Sequence, residues 1–187
     1  MEQRQLGNSG LRVSAIGLGT MTWGRDTDEH EAAEQLRIFT ESGGTFIDTA
    51  ASYCDGDSER VIGGLIGTMI PREEVVIATK AGINFSEGVR KIDASRHALI
   101  ADLDRSLSRL GTDYVDVWQI HNWDELTPLD DTLSALDYAY TTGRARYVGI
   151  SNYSGWQLAR AATKQQSNSM KAPLTTIQSE YSLLNRS

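Results

Sequence analysis

The sequence contains a single cysteine, Cys54. No disulfide can therefore close within the chain, and no Cys/His spacing matches a zinc site, so a structural metal is not expected. Basic residues are also short, at 18 Lys and Arg against 25 Asp and Glu, a net charge of −7. That balance argues against a nucleic-acid or anionic-membrane surface, though it leaves room for a local site for one phosphate. No stretch approaches the ~20 apolar residues of a membrane span. The opening "MEQRQLGNSG" carries no apolar segment of a secretory signal. These absences describe a reduced, cytoplasmic protein. The 187 residues, 40% hydrophobic and 23% charged, are enough for one domain spanning 1–187, at about 100–200 residues per domain.

The pattern along the chain is a repeated alternation. "RQLGNSGLRVS" places Asn8, Ser9 and Gly10 between short extended stretches at Arg4–Leu6 and Leu11–Ser14, which reads as a β-hairpin. Apolar "AIGLG" (15–19) then precedes an amphipathic helix from about Asp28 to Ser42. "TFID" (45–48) precedes "SERVIGGLIG", with Ser58 as a candidate N-cap. "EVVIATK" (74–80) leads to "SRHALIADLDRSLSRLG", where leucines recur at helical spacing. "YVDVWQIH" (114–121), a helix from near Pro128 to Gly143, "ARYVGIS" (145–151), a helix from Ser154 to about Gln166, and "LTTIQSEY" (174–181) complete the series. Six continuous apolar strands alternating with five helices predict a parallel sheet covered by helices.

Two architectures have that pattern. An open dinucleotide-binding sheet requires G-x-G-x-x-G after its first strand. "GLGTMTWG" has Gly17 and Gly19, but Thr22 stands at the third glycine position. A (β/α)8 barrel explains more, because barrel chemistry gathers at the C-terminal ends of the strands. Here the strand ends carry Asp48, Lys80, His121, and Ser151 with Asn152, and Tyr53 follows the first of these. Singly, Asp48 reads as a cap, Lys80 as a solvated charge and His121 as a structural histidine. A barrel brings them to one mouth. A phenol releases its proton with difficulty at neutral pH, and an adjacent ammonium held by a carboxylate favours its ionised form. A histidine opposite would orient a carbonyl oxygen or share the proton transfer. The group makes sense as a general acid acting on a carbonyl oxygen while hydride reaches the carbon.

The stretches "RQLGNSGLRVSAIGLGTMTWG", "FIDTAASYCDGDSERVIG", "VVIATKAG", "SLSRLGTDYVDVWQIHNWD", "GRARYVGISNYS" and "IQSEYSLLNR" resemble, in order, the aldo-keto reductases. The pattern is similar to the branch of bacterial oxidoreductases and potassium-channel β subunits. The resemblance implies a (β/α)8 TIM-type barrel that binds NADPH and reduces a small carbonyl substrate. It implies Tyr53 as proton donor, with Asp48, Lys80 and His121 completing a tetrad. It further implies Ser151, Asn152 and Gln178 on the nicotinamide carboxamide, Thr20 and Met21 beside the cofactor, and Asp48 near its ribose. Trp23 and Trp123 are expected as substrate-pocket walls. Cys54 stands where the family commonly has glycine.

The sequence ends just after the sixth strand, so the family's last two strand–helix units and its phosphate-gripping loop have no counterpart in it. The expectation is a barrel truncated after strand six, with open sheet edges that favour self-association and weak NADPH binding. Two further readings compete with the reductase. One is a nucleotide-sensing regulatory or scaffold protein like the channel β subunits. The other is an aldolase using Lys80 as a Schiff-base nucleophile, which leaves Tyr53, Ser151 and Gln178 unexplained.

Overall fold

Two antiparallel strands, β1 (Gln3–Gln5) and β2 (Arg12–Ser14), open the chain as the expected hairpin, with Arg4 paired to Val13. The computed structural model describes residues 1–86, 88–167 and 170–185. After β3 (Gly17–Gly19) comes α1 (Glu29–Glu41), whose first turn is capped by the Asp28 carboxylate accepting from the Glu31 N–H. Such a cap satisfies a donor that the helix start leaves free. β4 (Phe46–Asp48) is followed by a short 3-10 turn, Tyr53–Gly56, and by α2 (Asp57–Leu65). Ser58 is not the N-cap. It lies inside α2, fully buried, where its hydroxyl donates to the Thr20 carbonyl and joins the Thr20 and Thr49 hydroxyls.

β5 (Val76–Ala81) leads into an element that the strand–helix alternation did not announce. This is an antiparallel ribbon of β6 (Ile83–Ser86) and β7 (Val89–Ile92). Then come α3 (Arg96–Leu110), β8 (Val115–Ile120), α4 (Leu129–Thr141), β9 (Ala145–Ser151), α5 (Gly155–Ser167) and β10 (Leu174–Gln178). Ser95 caps α3 through the Ala98 N–H, and Gly111 ends it in the left-handed region, as helix C-termini commonly do.

The six parallel strands pair in the order β3-β4-β5-β8-β9-β10, each beside the one before it in the chain. Sequential parallel pairing with helices on one face is the arrangement of a (β/α)8 barrel, and six of its strands are present as a curled sheet. The core lies between sheet and helices, where Leu36, Ile47, Ile62, Ile77, Leu99, Leu103, Trp118, Leu133 and Leu136 are all nearly inaccessible. Each such Leu or Ile contributes about 1.5–3 kcal/mol on burial. At Gly149 of β9 the packing admits no side chain, since a Cβ would sit 2.6 Å from the Thr176 carbonyl oxygen on β10. Among the described residues no helix is long and apolar enough to cross a membrane.

Candidate active site

Strand register alone brings the strand-end groups to one side of the sheet. Asp48 pairs with Ala78, and Lys80, two residues further along β5, faces the same way, because side chains alternate along a strand. Lys80 pairs with Gln119, Gln119 with Gly149, and Ser151 with Gln178. Asp48, Lys80, Ser151 and Gln178 therefore share the inner face of the curl.

The side chains make direct contact. Lys80, only 1% exposed, places its ammonium 2.8 Å from Asp48 Oδ2, 2.9 Å from the Thr49 carbonyl and 3.4 Å from the Tyr53 hydroxyl. Asp48 Oδ1 is buried and has no hydrogen-bond partner among the described residues. The His121 ring stands edge-on to the Tyr53 ring with centroids 5.9 Å apart, and its Nδ1 lies 3.5 Å from Ser52 Oγ. Burial, with the charges of Lys80 and Arg90 adding to it, pushes the His121 imidazole down to about 3. His121 is therefore neutral throughout the physiological range, a hydrogen-bonding group rather than a cation. A second strand-end phenol, Tyr153, is displaced upward by burial and then by the Asp124 charge, which makes it a poor acid.

The residues expected at the cofactor fall into two groups. Ser151 is buried at the end of β9, and Asn152 (φ 56°) donates from Nδ2 to the His121 carbonyl and to Ser151 Oγ. The Asn152 N–H bonds to the Gln178 carbonyl, and Gln178 is itself exposed. Met21 is exposed, whereas Thr20 is fully buried with its hydroxyl on the Asp48 carbonyl and Ser58 Oγ. Among the described residues, no group of three or more His, Cys, Asp or Glu is arranged to hold a metal ion.

A cavity of about 820 Å³ opens above Tyr53 and His121, lined also by Met21, Arg25, Ser52 and Cys54 and by the ribbon residues Ile83, Phe85 and Arg90. The two tryptophans expected as its walls are not in its lining. Trp23 is a core residue, 1% exposed, with its indole N–H on Gln35 Oε1. Trp123 packs edge-on against Tyr153 and Trp156 instead. Ser52 and the ribbon residues escaped the sequence reading. Their signal was available in part: in "INFSEGVRKI" Ile83 and Phe85 alternate with polar residues ahead of Gly88, and β-branched Val89 and Ile92 follow it, which is compatible with a hairpin. Cys54 (φ 49°) and Asp55 (φ 56°) both adopt the left-handed backbone. That conformation favours glycine, so the residue type at position 54 marks a turn that bends the chain directly after Tyr53.

Comparison with known proteins places the whole chain beside one group of relatives. The chain is 35% identical over 191 residues to Aldo-keto reductase YhdN of Bacillus subtilis, covering 100% of the chain and 55% of that relative. It is 37% identical to L-glyceraldehyde 3-phosphate reductase of Escherichia coli K12, covering 100% of the chain and 55% of the relative. It is 33% identical to a probable voltage-gated potassium channel subunit beta of Oryza sativa subsp. japonica, covering 100% and 57%. The chain thus spans little more than half the length of these relatives. Residues 15–187 match the Aldo/keto reductase family, and the chain belongs to that family.

Proposed function

We propose that this chain carries the reaction centre of a carbonyl reductase, with Tyr53 as proton donor, NADPH as cofactor and a small aldehyde or ketone as substrate. The observation that carries the reading is the Asp48–Lys80–Tyr53 contact, with the ammonium 2.8 Å from the carboxylate and 3.4 Å from the phenol. The residues present suit a nicotinamide dinucleotide. The unpartnered Asp48 Oδ1 is a buried acceptor in want of a donor, and buried acceptors of that kind are ordinarily satisfied. A ribose hydroxyl would satisfy it. Ser151, Asn152 and Gln178 would hold the carboxamide, with Met21 alongside. Thr20 supports the reading only as part of the floor, because its hydroxyl is already engaged.

When bound, the reduced nicotinamide supplies hydride to the carbonyl carbon. The chain's own residues do the rest. The Tyr53 O–H bond breaks as its proton passes to the carbonyl oxygen, and the Lys80 ammonium stabilises the phenolate left behind. Asp48 keeps that ammonium in position. Neutral His121 donates a hydrogen bond that orients the carbonyl. Lys80 is a poor candidate for a Schiff base, since its nitrogen is buried and already has three partners.

Tyr53→Phe tests the proposal, because it removes the proton donor and keeps the ring. NADPH oxidation with a panel of aldehydes is expected to fall by about 10²–10⁴-fold, the usual cost of losing a general acid, while NADPH binding followed by fluorescence changes little. Near-wild-type reduction by the variant would sink the assignment. The relative named as a channel β subunit supports a second reading, a nucleotide-sensing regulatory protein. NADPH binding by the unaltered chain without turnover of any aldehyde would favour it.

A further inference from the structure

The β6–β7 ribbon places a cation, Arg90, beside the reacting groups. Its register pairs Phe85 with Arg90 and Ile83 with Ile92, so these side chains leave the ribbon on one face. Ile83, Phe85 and Arg90 all line the cavity that contains Tyr53 and His121. The other cations nearby are already compensated. Arg25 is ion-paired to Asp26 at 2.7 Å and Lys80 to Asp48 at 2.8 Å. Arg90 has no ion-pair partner among the described residues, and donates instead to the amide oxygen of Asn122 at 3.2 Å. Asn122, which follows His121 in the chain, also donates to the Trp123 carbonyl. A neutral amide fixed in this way orients a guanidinium without cancelling its charge, and among the described residues the rest of its donor fork is unengaged.

Asp55 is the acid among the lining residues. It stands on the Tyr53–Gly56 turn and is not among the charges that act on the His121 ring, which are those of Lys80 and Arg90. The His121 end of the cavity is therefore positive in a protein whose net charge is −7. A pocket for neutral aldehydes has no use for that charge. An apolar wall of Met21, Ile83 and Phe85 ending in a guanidinium matches a carbon chain that ends in an anion, and planar bidentate recognition of carboxylate or phosphate is what guanidinium does best. Resting on the reductase reading above, we propose that Arg90 is the specificity-determining residue of this pocket, and that the substrate is a carbonyl compound bearing a carboxylate or a phosphate.

The test compares matched aldehydes on the full chain. 4-Carboxybenzaldehyde is set against its neutral methyl ester, and 4-formylphenyl phosphate against 4-methoxybenzaldehyde. The unaltered protein is expected to prefer the anionic member of at least one pair by about tenfold in kcat/KM, mainly through KM, as loss of a charge-assisted hydrogen bond implies. The pair that shows the preference identifies carboxylate or phosphate as the group. Added salt should weaken the preference, Arg90→Gln should abolish it, and Arg90→Lys should restore part of it. Equal selectivity in the unaltered protein and Arg90→Gln overturns the inference while leaving the reductase reading intact. Calorimetric titration with 4-(hydroxymethyl)benzoate and 4-(hydroxymethyl)phenyl phosphate, the reduced products, is independent of turnover. Binding of either that is lost in Arg90→Gln, in a chain that reduces no aldehyde, upholds the anion site and overturns the reductase reading. Absence of both turnover and anion binding overturns both.

Discussion

Lys80 is a charge taken almost entirely out of water, and its three partners explain why it stays there. Removing an ammonium from solvent costs several kcal/mol unless it is paired and hydrogen-bonded. The Asp48 carboxylate and the Thr49 carbonyl supply that compensation, and the phenol of Tyr53 takes what remains of its donor capacity. His121 reaches the opposite solution, staying uncharged. Its displacement from 6.5 to about 3 has a measurable consequence for stability. Between those values the unfolded chain binds a proton that the folded chain does not, so stability is full above about pH 6.5 and is lost as pH falls, by up to about 1.4 kcal/mol per unit. His121→Asn removes the titration and keeps a polar group. In urea unfolding, the unaltered chain is expected to lose up to about 2 kcal/mol more than this variant between pH 7.5 and 5. Parallel stability curves would show that the imidazole does not sit in the environment described. The meeting of Asp48, Tyr53, Lys80 and His121 was legible in the sequence because each ends or follows an apolar strand. The displacement of His121 was not, since it comes first from burial, which only the packed site creates, and then from Lys80 and from Arg90 on a ribbon that no strand–helix alternation announces.

At the scale of elements, the turn carrying Tyr53 is held from outside the sheet. Glu59 of α2 is fully buried, accepting from Thr79 Oγ1 at 2.6 Å and from Arg109 Nη1 at 3.2 Å. The same Arg109 nitrogen donates to the Ala51 carbonyl, two residues before Tyr53. Gly56 (φ 92°) lies so close that a Cβ there would collide with the guanidinium. One side chain from the last turn of α3 thus ties α2, β5 and the turn that carries Tyr53 together. Arg109→Ala leaves the Glu59 carboxylate buried without its cation, a loss expected to cost about 3–5 kcal/mol. Arg109→Ala with Glu59→Gln should recover part of that stability, because the uncompensated charge is gone. Denaturant unfolding of the two variants decides it: a double variant no more stable than the single one would mean that the guanidinium acts through packing, not charge. The helices themselves were readable from leucine spacing and end signals such as Gly111. This clamp was not, because Arg109 and Glu59 are 50 residues apart and meet only through the packing of α2 on α3. Ser58 was misassigned for a related reason, since an N-cap serine and a serine bonded across to Thr20 look alike in one dimension.

The molecule as a whole is governed by where its sheet ends. Among the described residues β3 pairs only with β4 and β10 only with β9, so each has one open side. The N-terminal hairpin reaches between them at the base. The Met1 amino group donates to the Ser42 carbonyl and Gln3 Nε2 to the Gly43 carbonyl. Beyond β1, Gly7 packs so tightly on the Thr175 carbonyl of β10 that no side chain would fit. A cavity of about 470 Å³ runs along the opening, with Asp48 and Gln178 in its lining. Ile16 beside β3 and Ile177 on β10 are exposed. Unpaired strand edges next to exposed apolar side chains are templates for pairing with another chain. A polypeptide of these 187 residues is therefore expected to self-associate, with mass by light scattering rising with concentration. Ile177→Lys, which sets a charge on the β10 edge, should lower that mass, because an edge lysine opposes further strand pairing. The corresponding charge on an exposed position in the loop after β8, a strand paired on both sides, Leu126→Lys, should not. Equal lowering by both variants would assign the effect to net charge, and a monomeric mass at every concentration would mean that the hairpin already closes the opening well enough to bar a second chain.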